Sequence, residues 1–143
     1  MPFADYARHL LCIAETVHRW LGSLSVLDDA RRRRVARYAE KIAATLARAG
    51  EALHRVEELP ADRNARERAI RELGRIIGYV ETMVGALEHH LDGRKLAGVK
   101  RRLEQLRPEE LHNCVVCGRK PVHIDRLASA EGYFRALADG LRT

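Results

Sequence analysis

Apolar residues recur along this chain at alternating intervals of three and four. The longest stripe is Val35, Ala39, Ile42, Leu46, Ala49, Leu53 and Val56. That period keeps one face of an α-helix apolar. A second stripe, Ile70, Leu73, Ile77, Val80, Val84, Leu87 and Leu91, follows the segment ELPADRN. Pro60 in that segment stops one helix near the start of the next. The pattern predicts two long helices, over residues 26–59 and 62–92. They are expected to fold as an antiparallel hairpin with arms of about 45–50 Å. Ser25, with Asp28 three residues on, makes a start like a capping box.

Shorter helices flank the hairpin. Residues 3–21 place Phe3, Tyr6, Leu10, Ile13, Val17 and Trp20 on one face, ending at Gly22. Beyond Gly93, Leu96, Val99, Leu103 and Leu106 predict a helix that stops before Pro108. Residues 125–141 predict a last helix that buries Leu127, Ala130, Phe134, Leu137 and Leu141. No strand and no internal repeat is evident. The expected fold is all-α, a helical bundle of one domain over residues 1–143, with a loop at 108–124.

Small residues add a second pattern. Gly74, Gly78 and Gly85 share one face of the second long helix, off its apolar stripe. Ala36, Ala43, Ala47 and Gly50 do the same on the first. Glycine inside a helix costs up to about 1 kcal/mol relative to alanine. Its use on one face predicts close approach by another backbone. Helix 1 or the C-terminal helix is the expected neighbour, ahead of a homo-oligomer contact.

Composition narrows the class. Hydrophobic residues make up 46% and charged residues 32%, which suits a soluble helical protein. No apolar run approaches the roughly 18 residues a membrane span needs. The start, MPFADYARHL, carries an early acid rather than the basic opening of a signal peptide. Three cysteines form no disulfide framework, so a reducing, cytoplasmic setting is expected.

The formal charge is +6, with 22 arginines among 26 basic residues. Segments 28–41 and 88–107 each hold six basic and three acidic residues, and together they account for that charge. The first contains Arg31, Arg32, Arg33 and Arg34; the second contains Arg94, Lys95, Lys100, Arg101 and Arg102. An antiparallel hairpin would bring both to one end. A basic pole of this kind suits phosphate backbones of RNA or DNA, acidic protein surfaces or anionic lipids. A solvated, ion-paired surface is the plain alternative. Aromatic residues are only 5%, which predicts binding through the backbone rather than by base stacking.

The segment HNCVVCGRKPVH, residues 112–123, breaks the helical pattern. Cys114 and Cys117 have the spacing that lets two thiolates face one ion, and Gly118 permits the turn. His112 and His123 complete a Cys2His2 set for structural Zn2+, with His9 and Cys12 as alternative donors from helix 1. Free structural thiols and a redox pair are the other readings. A redox pair wants a βαβ context, which is missing here. The stretch CVVCGRKPVH resembles the opening half of treble-clef and HNH-type zinc modules over about ten residues. The resemblance implies the knuckle alone. The second ligand pair and the catalytic histidine of such nucleases have no counterpart here.

Other motifs carry less. Glu15-x-x-His18 and Glu51-x-x-His54 have the spacing of di-iron half-sites, but they sit off the core faces and about 30 Å apart along the hairpin. GALEHHLDG, residues 85–93, is similar to the phosphotransfer segment of four-helix signalling domains, with His89 as carrier. Asp92 replaces the lysine expected there, and an acid beside a phosphohistidine is electrostatically unfavourable. No nucleophile triad or phosphate loop is visible. The expected function is therefore that of a non-enzymatic accessory protein binding nucleic-acid backbone within a larger complex. The alternative is a protein–protein adaptor or homo-oligomeric scaffold.

Overall fold

The computed structural model describes residues 3–24, 27–59, 61–87, 93–104, 106 and 124–142. Among them it is an all-helical bundle without strands. Helix α1 spans Phe3–Arg19 and the single turn α2 spans Leu21–Leu24. Helix α3 spans Asp29–Glu58, α4 Arg63–Leu87, α5 Gly93–Glu104 and α6 Ile124–Arg142. No helix among the described residues is long and apolar enough to cross a membrane.

Helix α3 begins at Asp29 rather than at residue 26. Asp28 is the N-cap, extended at φ −62° and ψ 159°. Its carboxylate accepts a hydrogen bond from the Arg31 N–H at 2.8 Å. A carboxylate on a first-turn donor satisfies a group the helix itself cannot. Ser25, the expected cap, lies outside the described residues. The helix then runs 30 residues, about 45 Å.

Packing of α3 uses two faces. Val35, Ala39, Ile42, Leu46, Ala49 and Leu53 are buried as the stripe predicts, and Val56 is half-buried. On one side of this stripe, Tyr38 meets Tyr79 of α4 with ring centroids 6.1 Å apart. A contact of Arg48 Nε with Glu72 Oε2 at 3.3 Å joins the same helices, and Arg55 Nε reaches Asp62 Oδ2, the residue before α4, at 2.8 Å. Partner numbers thus fall on α3 as they rise on α4. On the other side, Ala36 and Ala43 are buried around Glu40, which holds Arg142 of α6. At Ala36 and Ala43 the small face of α3 lies against the C-terminal helix, while Ala47 and Gly50 are half-buried and a Cβ at Gly50 meets nothing within 4 Å among the described residues.

Helix α4 buries more than its predicted stripe. Ala69, Leu73, Ile76, Val80, Met83 and Leu87 are fully buried, while Ile70 is only half-buried. The seam against the core is therefore shifted by one residue at several positions. The reason is that α4 packs against α5 as well as α3, so its apolar face must be wider than a two-helix seam. Helix α1 lies against α6 and α5, burying Leu10, Ile13, Val17 and Trp20 as predicted. Helix α6 buries all five predicted positions, with Phe134 among the largest fully buried side chains.

One polar layer crosses the α3–α4 seam. Thr45 and Glu72 are buried. Arg48 donates from Nη2 to Thr45 Oγ1 at 3.0 Å, and Thr45 donates to the Lys41 carbonyl at 2.7 Å. Arg75 Nη1 lies 3.8 Å from the second Glu72 oxygen. Arg48 is partly exposed, so its guanidinium stays near water while neutralising a nearly buried acid. A buried carboxylate without such a partner would be strongly destabilising. This pairing therefore disfavours sliding of α4 along α3.

The glycine face of α4 corrects an expectation. A Cβ built at Gly74, Gly78 or Gly85 meets nothing within 4 Å among the described residues. Among the described residues no helix packs there, and α3 and α5 cover the apolar sides of α4. Two stability changes follow. Gly78→Ala is expected to stabilise the fold by about 0.5–1 kcal/mol, through lower backbone entropy in the unfolded chain. Phe134→Ala is expected to cost about 3–5 kcal/mol. Thermal or urea unfolding followed by circular dichroism checks both, and destabilisation by Gly78→Ala would mean that a neighbour does press on that face.

Candidate nucleic-acid interface

The four arginines at the start of α3 divide into two pairs. Cations in a first turn oppose the helix dipole, and the local acids answer the first two. Arg31 Nε lies 4.0 Å from Asp28 Oδ2, and Arg32 pairs with Asp29. Arg33 and Arg34 are exposed. They face a different environment, set by α6.

Arg33, Arg34 and Arg37 line an open groove of about 760 Å³ with Ala30, Glu40 and Arg142. Arg33 and Arg37 are one turn apart, so their side chains leave α3 on the same face. Arg142 arrives from the last turn of α6, where its Nη2 donates to Glu40 Oε2. Four arginines and one carboxylate thus line one open groove. The Arg142 hydrogen bond and charge hold the Glu40 carboxyl below its ordinary range, and Arg135 adds to the effect. The same contact raises the Arg142 pKa. The groove has no enclosed floor and no buried nucleophile among its lining residues. Its chemistry is anion binding by planar donors, which suits phosphate or carboxylate.

The second basic segment lies on α5. Helix α5 packs on α1 and α4. Lys100 lines a smaller groove with Leu103 and Glu104 of α5 and Glu81, Val84 and Gly85 of α4. Arg94 and Arg101 are exposed and Arg102 is half-exposed, while the Lys95 side chain lies outside the described residues. The structure therefore brings Arg33 and Arg34 into one groove and turns Arg31 and Arg32 toward the N-cap acids. Arg142 was not legible as a site residue. It is a lone arginine near the end of the chain, 102 positions from Glu40, and no spacing rule links them. Arg37 was legible only as part of a basic segment.

The predicted zinc ligands His112, Cys114, Cys117 and His123 lie outside the described residues, as does His89. Cys12 is half-buried on α1. Among the described residues, no group of three or more His, Cys, Asp or Glu side chains is gathered to hold a metal ion. Glu51 and His54 are both exposed on α3, and His54 Nε2 lies 3.1 Å from Glu58 Oε1. His18 instead packs edge-on against Tyr133 of α6, centroids 5.4 Å apart.

The Glu40 pair has a pH signature. A carboxyl whose folded pKa is depressed contributes stability above its unfolded value, 4.5 for this group. That contribution is lost as pH falls through the lower folded value. In an NMR titration, the Glu40 side-chain carbon is expected to have its midpoint below 4.5 in the wild type. In Arg142→Met the midpoint is expected to return toward 4.5, with faster amide exchange in the last turn of α6. An unchanged midpoint would mean that the pair does not form in solution.

Comparison with protein-family models, curated proteins and solved structures finds no match to this chain.

Proposed function

We propose that this protein is a non-enzymatic accessory protein that binds the phosphate backbone of RNA or DNA, acting in the cytoplasm within a larger complex. The observation that carries this reading is the groove in which Arg33, Arg34, Arg37 and Arg142 converge from two helices. Guanidinium groups grip phosphate oxygens two at a time. Glu40 acts as an internal counterion, keeping Arg142 ordered until a phosphate competes for it. The cations of α5 serve as a second contact surface. The contacts of α3 with α4 support the antiparallel hairpin, in which the start of α3 would lie near the end of α4.

The loop containing His112, Cys114, Cys117 and His123 is proposed to bind one structural Zn2+. Four ligands there would staple a segment with few apolar residues onto the bundle. A second reading, an adaptor or homo-oligomeric scaffold, draws on the open face at Gly78 and Gly85. It becomes the better one if no nucleic acid binds.

Fluorescence anisotropy against RNA and DNA oligonucleotides, over a range of salt, tests the main reading. Affinity is expected to fall steeply with salt, because each phosphate contact releases counterions. Arg33→Glu with Arg34→Glu is expected to weaken binding and lower the salt slope by up to about 2. Arg68→Glu with Arg71→Glu, two exposed positions on α4 outside the groove, changes net charge equally and is expected to do much less. Equal losses would reduce the interaction to bulk attraction, and absence of binding at low salt would favour the adaptor. Elemental analysis is expected to find about one zinc per chain, lost in Cys114→Ser or Cys117→Ser. A folded, reduced protein without zinc would end that part of the reading.

A further inference from the structure

Two tyrosines stand beside the basic groove. Tyr38 of α3 and Tyr79 of α4 are both half-buried, with centroids 6.1 Å apart and rings inclined at 51°. They rest on the hydrophobic core, so each ring is held by its helix and is partly open to solvent. Lys41 Nζ lies 5.6 Å from the Tyr38 centroid and 5.7 Å from that of Tyr79. Arg37 Cζ lies 5.7 Å from the Tyr38 centroid. Arg37 also lines the groove. The aromatic pair and the phosphate-binding groove therefore share a residue and form one surface.

We infer that the Tyr38–Tyr79 pair is a stacking site for an unpaired base, so that the ligand of the groove is single-stranded nucleic acid. This rests on the phosphate-binding reading above and narrows it. A nucleotide carries its base and its phosphate as one covalent unit, so recognition of a single strand needs π surface and cations side by side. That juxtaposition is present here. Every base has a π face, so stacking of this kind is indifferent to sequence. The exposed Lys41 has a flexible stem, and its cation lies over both rings. It can swing from the rings to a phosphate as a base enters. In a duplex the bases are already stacked and paired, so a duplex would use the arginines alone. The low aromatic content of the chain points away from stacking, but two tyrosines suffice once tertiary contact brings them together.

The test compares a labelled oligothymidylate with a duplex of the same strand length at matched salt. One stacked base is worth about 1–3 kcal/mol, so the wild type is expected to favour the single strand by about tenfold. Tyr38→Leu with Tyr79→Leu is expected to abolish that preference while leaving duplex affinity unchanged. Tyr38→Phe with Tyr79→Phe, which keeps both rings, is expected to retain it. In the unaltered protein, an oligonucleotide carrying 5-iodouracil is expected to cross-link to Tyr38 or Tyr79 on irradiation, as mapped by mass spectrometry. This second readout holds even if the leucine variant does not fold. Equal wild-type affinity for both ligands, with cross-links elsewhere, would overturn the stacking site and leave phosphate binding intact. Equal loss of both ligands in a folded leucine variant would reduce the tyrosines to packing between α3 and α4. No binding to either ligand at low salt would end both readings.

Discussion

Helix α3 is too long and too apolar to be covered from one side. Its central stripe, from Val35 to Leu53, lies between two flanks that both pack. The flank bearing Tyr38, Lys41, Thr45 and Arg48 meets α4, and the flank bearing Ala36, Glu40 and Ala43 meets α6. Burial of apolar area, at about 25 cal/mol per Å², drives both contacts. Alanine at 36 and 43 leaves room on the α6 side, while larger side chains fill the α4 side. The remaining helices follow from this. Helix α1 closes over α6, and α5 closes over α4 and α1.

The candidate site is a consequence of that packing. Asp28 and Asp29 begin the helix and neutralise Arg31 and Arg32. The next turn carries Arg33, Arg34 and Arg37, which line the groove. Docking of α6 then adds Arg142 on one side, and docking of α4 adds Tyr79 on the other. Arg37 stands between these two additions, lining the groove and touching the Tyr38 ring. A chain in which α6 undocked would keep the arginines of α3 but lose the groove. Stability of the bundle and integrity of the site are thus coupled through the same helix contacts.

The departures from expectation have definite causes. The glycine face predicted a close backbone neighbour, yet among the described residues nothing lies within 4 Å of a Cβ built at Gly78 or Gly85. Small residues permit close approach but do not require it. Net charge predicted one basic pole; among the described residues Arg33, Arg34 and Arg37 line a groove with Arg142, and Lys100 lines a groove between α4 and α5. A count of charges along the chain cannot tell on which side of a helix each one leaves. Aromatic content is low, and a percentage does not register that Tyr38 and Tyr79 meet.

What the sequence determined by itself is the set of helices, their order and most of their inward faces. Val35 through Leu53 on α3 and Leu127 through Leu141 on α6 are buried at the predicted positions. The physical reason is that a helix of 3.6 residues per turn converts spacing directly into a face, and caps and prolines act over three or four residues. Only the tertiary structure decided which faces meet, and so which distant residues become neighbours. Glu40 with Arg142, Glu72 with Arg48 and Tyr38 with Tyr79 are all pairings between helices. Each depends on how whole helices rotate and slide to fill one core. That choice minimises exposed apolar area over the entire bundle, and no local stretch of the chain encodes it.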